Sequence, residues 1–112
     1  MIMIKKRAEY LSKIRNYFSK LDVMEVDTPL AYDYGVTDPF IDVFDITTSS
    51  GVKYLQSSPE YAMKRLLSAG SGSIYQICKA FRDEPSGVKH SCEFTMLEWY
   101  KVGVDYFELM NE

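Results

Sequence analysis

The chain has 112 residues, enough for at most one domain with a modest core. Its 46% of hydrophobic residues and 26% of charged residues are the ordinary balance of a soluble protein and argue against a disordered one. The formal net charge of −3 argues against a broad nucleic-acid-binding face, although it leaves room for a local basic patch.

The two cysteines, Cys78 and Cys92, have no second pair beside them, so the sequence predicts neither a zinc framework nor a disulfide scaffold. Cys78 lies in an apolar run and is predicted to be a core residue, whereas Cys92 is assigned no role. The opening Met-Ile-Met-Ile is not followed by a long apolar core, and no run approaches the roughly 20 apolar residues of a membrane span. We therefore predict a cytoplasmic protein without a membrane partner.

Residues 3–21 predict an amphipathic helix, because apolar residues recur at spacings of three and four: Ile4, Ala8, Leu11, Ile14, Phe18 and Leu21. The basic triplet at residues 5–7 has two interpretations, an RNA-contacting tip or the solvated start of the helix, and we favour the second. Asp22 is predicted to end the helix. A short strand over residues 23–26 follows, and Pro29 terminates it because proline donates no hydrogen bond to a sheet.

Alternating residues predict a strand around 40–46, and a turn at 49–51 leads to a second strand over 53–56. Ser58, Pro59 and Glu60 then predict a helix start, with serine as N-cap and proline at the first helical position. This helix continues over residues 61–69 and ends at Gly70. The Gly-Ser-Gly-Ser run that follows lacks the lysine and serine of a phosphate-binding loop, so we interpret it as a plain turn.

Two further strands, over residues 74–81 and 93–100, are joined by a polar loop that contains a Pro-Ser-Gly turn. A period of two places Phe94, Met96, Glu98 and Tyr100 on one face of the second strand. The hairpin gathers an arginine, carboxylates, a histidine and aromatic rings. This set suits an anionic, aromatic ligand beside a cation, such as ATP beside a basic amino acid. A last helix is predicted to start at Asp105.

The hairpin sequence FRDEPSGVKHSCEFTMLEWY, residues 81–100, resembles motif 2 of class II aminoacyl-tRNA synthetases of the lysyl type. Its LEWY ending is closer to the lysyl-tRNA synthetase paralogues that attach a lysine-type amino acid to elongation factor P. The preceding run, residues 54–84, is similar to the same group almost throughout. The helix, strand and proline of residues 3–29 resemble motif 1, which builds the dimer interface in this family.

The resemblance implies an α+β fold, the class II synthetase catalytic fold, with an antiparallel sheet flanked by helices. Residues 1–112 would form part of that catalytic domain, with motif 1 at about 3–29 and motif 2 at about 74–100. Motif 3, which brings a glycine-rich turn and an arginine near the γ-phosphate, is not found in the sequence. Neither is the N-terminal anticodon-binding barrel of lysyl-tRNA synthetases. We expect a homodimer formed through residues 3–29.

The implied activity is ATP-dependent activation of lysine or β-lysine as an aminoacyl-adenylate and its transfer to a lysine of elongation factor P. Two alternatives remain open: a catalytic-domain fragment of a lysine–tRNA ligase, with tRNA-Lys as acceptor, or a non-catalytic truncated paralogue that acts as a binding module. We expect the 112-residue chain alone to be inactive. Mg²⁺ is implied for the family, with ligands outside this chain, so no metal ligand is assigned.

The resemblance assigns the ATP-binding residues one by one. Arg82 is the catalytic candidate: it would contact the α-phosphate and the amino-acid carboxylate, two anions that a planar guanidinium can bind together. Glu84 would receive the adenine amino group, and adenine would stack on Phe94. His90 would lie near the distal phosphates, and Ser91 stands where the family has an ATP-binding asparagine. The alternatives are a surface salt bridge for Arg82 and core packing for Phe94.

Ser58, Glu60, Glu98 and Tyr100 match the family positions that line the amino-acid pocket. A lysine-type substrate has two amino groups, so its pocket needs carboxylates and other hydrogen-bond acceptors. Buried carboxylates also discriminate strongly against uncharged analogues. The alternative for Glu60 is simple stabilisation of the helix dipole in the first turn.

Overall fold

The computed structural model describes residues 1–33, 43–83 and 92–103. These ranges contain two helices and six strands. The strands form two three-stranded sheets, with strand orders β1-β5-β6 and β2-β4-β3. The elements are α1 (Ile2–Lys20), β1 (Met24–Glu25), β2 (Ala31–Tyr32), β3 (Asp45–Thr48), β4 (Gly51–Leu55), α2 (Glu60–Ser68), β5 (Ile74–Phe81) and β6 (Glu93–Tyr100). The predicted mixture of helix and sheet is confirmed.

The antiparallel pair β5–β6 is the longest in the described structure. It runs through eight residue pairs, from Ile74 opposite Tyr100 to Phe81 opposite Glu93, so both predicted strands are confirmed to the residue. Because side chains alternate along a strand, the pair has two distinct faces. The helix face carries residues 75, 77, 79, 81, 93, 95, 97 and 99. The site face carries residues 74, 76, 78, 80, 94, 96, 98 and 100.

Helix α1 packs on the helix face through the last two turns of its apolar stripe. The Phe18 ring stacks on Tyr75 with centroids 4.3 Å apart, and it lies 6.0 Å from the ring of Trp99. Val23 completes this buried cluster, and Ile14 packs against it. The predicted helix is confirmed, with each end shifted by one residue. Only the C-terminal half of its stripe is covered by the described residues.

The turn after α1 leads directly into β1. Asp22 adopts a positive φ of 59°, a conformation that aspartate tolerates better than most residues. Its amide donates to the Ser19 carbonyl at 3.2 Å. The predicted strand then appears as β1, which pairs in parallel with the start of β5, Met24 opposite Ile74.

Buried amide side chains complete the edge of β5 beyond the short strand β1. The Gln76 side chain accepts from the Thr28 amide at 3.1 Å and donates to the Thr28 hydroxyl at 3.0 Å. The Gln56 side chain donates to the Lys79 carbonyl at 2.7 Å. In addition, the Phe81 amide donates to the Gln56 carbonyl at 2.9 Å. Gln56 therefore joins the end of β4 to the end of β5.

The second sheet contains the predicted strands in modified form. The predicted strand over 53–56 appears as β4, which starts earlier, at Gly51, where φ is +119°. The strand predicted around 40–46 overlaps β3, but residues 40–42 lie outside the described residues. The two-residue strand β2 was not predicted. Neither of the described helices is long and apolar enough to cross a membrane.

Helix α2 begins at Glu60, one residue later than predicted, and Pro59 takes the flanking position instead of the first helical one. The Ser58 hydroxyl still serves the helix start, since it accepts from the Glu60 amide at 3.2 Å. At the other end Gly70 has a φ of +92°. The Ser71 amide donates to the Leu66 carbonyl, the pattern of a Schellman motif. The helix predicted from residue 105 lies outside the described residues.

We predict that the contact between α1 and the helix face supplies a large part of the stability. Phe18→Ala should lower the free energy of unfolding by about 3–5 kcal/mol, because it removes a buried ring and leaves a cavity. Tyr10→Ala, on the same helix but 65% exposed, is the matched control and should change it by less than about 0.5 kcal/mol. Urea unfolding measures both variants, and equal losses would contradict the packing described.

Candidate functional site

The site face of the β5–β6 pair collects most of the predicted site residues. Strand β5 contributes buried residues to this face, including Gln76 and Ala80. From β6 the face receives Phe94 opposite Ala80 and Glu98 opposite Gln76, both half-buried. The sequence prediction that Phe94 and Glu98 share one face of β6 is confirmed, and α1 covers the other face.

Arg82 and Phe94 lie together at one end of this face. The guanidinium carbon of Arg82 is 5.2 Å from the centre of the Phe94 ring, within the range of a cation–π contact. The Arg82 amide donates to the Cys92 carbonyl at 2.9 Å, which continues the hairpin one step beyond the last strand pair. The strand pairing thus fixes the backbone position of Arg82, and the Phe94 ring lies against the guanidinium group.

The Nε atom of Arg82 is buried and has no hydrogen-bond partner among the described residues. Leaving a buried donor of a charged group unsatisfied is costly, so such a group is suited to receive an anion. Within the described residues no salt bridge joins Arg82 to Asp83, and Glu84 lies outside them. The surface salt bridge that was the alternative for Arg82 is therefore not formed with Asp83.

Glu98 and Tyr100 form a hydrogen-bonded pair at the opposite end of the face. The Tyr100 hydroxyl donates to Glu98 Oε2 at 2.9 Å. Burial raises the pKa of Tyr100 well above its ordinary value of 10.0, and the charges of Glu98 and then Glu60 raise it further. Tyr100 therefore remains a neutral donor that orients the carboxylate of Glu98.

Glu60, in the first turn of α2, adds a second carboxylate to this end. Its charge acts on Tyr100, and its Oε1 accepts from the Lys64 ammonium at 2.7 Å. Both Glu60 and Glu98 raise the pKa of Lys64, Glu60 through its hydrogen bond most strongly. We call Glu60, Lys64, Glu98 and Tyr100 the amine cluster. With two carboxylates and one ammonium it carries one excess negative charge.

The structure thus brings Arg82 together with Phe94, and Glu98 together with Tyr100, on one face, while Glu60 belongs to α2 and affects Tyr100 through its charge. Ser58 uses its hydroxyl at the start of α2. The predicted ATP-binding residues Glu84, His90 and Ser91 lie outside the described residues. No group of three or more His, Cys, Asp or Glu suited to a metal ion occurs in the part of the chain that the structure describes.

Three residues of this region were missed by the sequence prediction. Gln56 and Gln76 hold the edge of β5, and nothing in the local pattern indicated that two buried glutamines would do so. Lys64 had a detectable signal, because it stands four residues after Glu60 on a predicted helix, the spacing of a favourable ion pair.

We predict that Glu98 contributes to the high pKa of Tyr100. Glu98→Gln should lower this pKa yet leave it above 10.0, because burial is the larger cause. A raised pKa means that the folded chain holds the phenol proton more tightly than the unfolded chain. Stability should therefore be full below about pH 10 and fall as the pH rises further. NMR of ¹³C-labelled tyrosine, assigned with Tyr100→Phe, follows the titration.

The matched control for this titration is Glu93→Gln, which removes a carboxylate from the other end of β6 and from its other face. It should leave the pKa of Tyr100 unchanged. A Tyr100 pKa that does not respond to Glu98→Gln would contradict the hydrogen-bonded pair.

Comparisons with known proteins show which family the sequence resembles. A family model described as "tRNA synthetases class II (D, K and N)" matches residues 2–112. Among curated proteins, the chain is 48% identical over 112 residues to an elongation factor P–(R)-β-lysine ligase from Avibacterium paragallinarum, covering 95% of this chain and 35% of the relative. Proteins of the same name from Photobacterium profundum and Pseudoalteromonas translucida are 50% and 51% identical over 115 residues, covering 97% of this chain and 36% of each relative.

The chain therefore spans about a third of the length of the curated relatives that it matches. The match of the family model extends over almost every residue, and the relatives share close to half of the aligned residues. The resemblance carried by the motif 2 hairpin is confirmed, and the chain belongs to the family of class II tRNA synthetases.

Proposed function

We propose that this chain forms the ATP-binding and amino-acid-binding part of a ligase that activates lysine or β-lysine as an adenylate. The acceptor would be a lysine side chain of elongation factor P. The observation that supports this proposal is the composition of the site face. A buried, unsatisfied arginine donor and an aromatic ring stand at one end, and two carboxylates with a neutral tyrosine stand at the other.

The arginine end fits the nucleotide. In the proposed reaction a carboxylate oxygen of the amino acid attacks the α-phosphorus of ATP, a new oxygen–phosphorus bond forms, and pyrophosphate leaves. Two anions approach each other in this step, so a guanidinium that contacts both lowers the barrier. The position of Arg82 beside Phe94 supports this role, because Phe94 offers a ring face on which adenine could stack.

The amine cluster fits a substrate with two ammonium groups. Its two carboxylates, Glu60 and Glu98, can each pair with one amine. Phe94 and Glu98 are four residues apart on β6, which is about 13 Å along an extended strand. This separation suits an adenylate that has its adenine at Phe94 and its amine at Glu98. An uncharged side chain would leave a carboxylate without a partner, which is the basis for rejecting it.

The choice of elongation factor P as acceptor rests on the names of the relatives. Mg²⁺ would accompany ATP and neutralise its phosphates, with ligands outside the described residues. Since the chain spans about a third of those relatives, the expectation that the 112 residues alone do not complete the reaction stays a prediction.

A homodimer through residues 3–29 is part of the proposal. The exposed apolar residues of the first turn of α1, such as Met3 and Ile4, support it. So does an open cavity of about 630 Å³ between the N-terminal half of α1 and the helix face, lined mainly by apolar side chains. Such a surface favours burial against another chain.

The proposal is tested with a non-hydrolysable lysyl-adenylate analogue, the sulfamoyl adenosine of lysine, titrated calorimetrically into the 112-residue chain. Arg82→Met and Glu98→Gln should each weaken binding by about 10-fold to 100-fold, because each removes a hydrogen bond to a charged group. Arg65→Met, which removes an exposed arginine of α2, is the matched control and should leave the affinity unchanged.

An analogue in which a hexanoyl group replaces lysine should bind the wild-type chain more weakly, since it offers no ammonium to the amine cluster. Equal affinity for the lysyl and hexanoyl analogues would contradict the lysine-type substrate. An affinity that Arg82→Met does not alter would contradict the assignment of the nucleotide to this face.

A further inference from the structure

Lys64 is the cation of the amine cluster, and none of the roles discussed so far includes it. It lies one helical turn after Glu60 on α2, and its ammonium is 2.7 Å from Glu60 Oε1. The side chains of Lys64 and Glu60 are 59% and 55% exposed, so a ligand in solution can reach the pair. An exposed pair of this spacing is weak, because water and salt screen it.

The position of Lys64 has a consequence for any ammonium that binds Glu60. In the free chain the Glu60 carboxylate already has a cationic partner. A substrate ammonium that pairs with the same oxygen must displace Lys64, whose flexible and strongly hydrated side chain can turn into solvent. Glu60 is then paired before and after binding, so the exchange leaves no carboxylate exposed without a cation.

We propose that Lys64 is a cation that competes with the substrate in the amino-acid pocket: it occupies Glu60 until a ligand ammonium displaces it, and it thereby weakens the binding of ammonium ligands. A ligand without an ammonium at that place cannot compete for the carboxylate, and Lys64 stays where it is. This inference rests on the proposed function of the same site. The opposite arrangement, in which Lys64 stays and binds the substrate carboxyl group, predicts the opposite sign for the effect of its removal.

The experiment compares the lysyl and hexanoyl sulfamoyl adenosine analogues on wild type, Lys64→Met and Lys64→Arg. Methionine and arginine have helix propensities close to that of lysine, so α2 should be retained. Lys64→Met should bind the lysyl analogue about twofold more tightly than wild type. This factor corresponds to the free energy of the Lys64–Glu60 ion pair, which the ligand no longer has to break. Its affinity for the hexanoyl analogue should not change. Lys64→Arg keeps a competing cation and should restore the wild-type affinity.

A second readout separates displacement from a merely structural ion pair. In the ¹³C NMR spectrum of the wild-type chain, the Cε resonance of Lys64 should move towards the position that it has in Glu60→Gln when the lysyl analogue is added. The hexanoyl analogue should not move it. A purely structural pair would give neither the ligand-dependent shift nor tighter binding by Lys64→Met.

The outcomes separate the two proposals. If wild type binds the two analogues equally, the proposed function fails and this inference fails with it. If wild type prefers the lysyl analogue but Lys64→Met binds it no more tightly than wild type, only the inference about Lys64 is overturned. Weaker binding by Lys64→Met would instead show that Lys64 contacts the bound analogue, in which an acyl sulfamate replaces the substrate carboxyl group, and would overturn the inference.

Discussion

The antiparallel pairing of β5 with β6 determines where the described site residues of this hairpin lie. Because side chains alternate along both strands, one register assigns Tyr75 and Trp99 to the face under α1 and Phe94 and Glu98 to the other. A slip of one residue would exchange the two faces, burying Glu98 against Phe18 and exposing the aromatic cluster. The apolar contact with α1 therefore stabilises the same register that assembles the site.

The outer edge of β5 adds a second constraint. Strand β1 pairs with only two residues of β5, and buried backbone groups beyond it need other partners. The Gln76 side chain accepts from the Thr28 amide, and the Gln56 side chain donates to the Lys79 carbonyl of β5. Gln56 in particular holds the last residues of β5 on one side while β6 holds them on the other. Arg82, the next residue, thus leaves a backbone that is fixed at both edges.

The sequence predicted the elements whose pattern is local and missed the contacts that depend on distant partners. The alternation of residues along 93–100 was enough to predict β6 and its site face. The apolar residues at spacings of three and four were enough to predict α1. That spacing shows which residues share a face, but not what covers them, so the 66% exposure of Ile4 could not be foreseen. The two-residue strand β2 and the glutamine contacts likewise depend on residues that are distant in sequence. Lys64 could have been found from its spacing to Glu60.

The assignment of the ligand to the site face is tested most directly by intermolecular NOEs between the lysyl-adenylate analogue and the labelled chain. Phe94 and Leu97 are close along β6 but lie on opposite faces. The adenine protons should show NOEs to the ring of Phe94, and the lysyl methylenes should show none to the methyl groups of Leu97. NOEs from the analogue to Leu97 or Thr95, with none to Phe94, would contradict the site described.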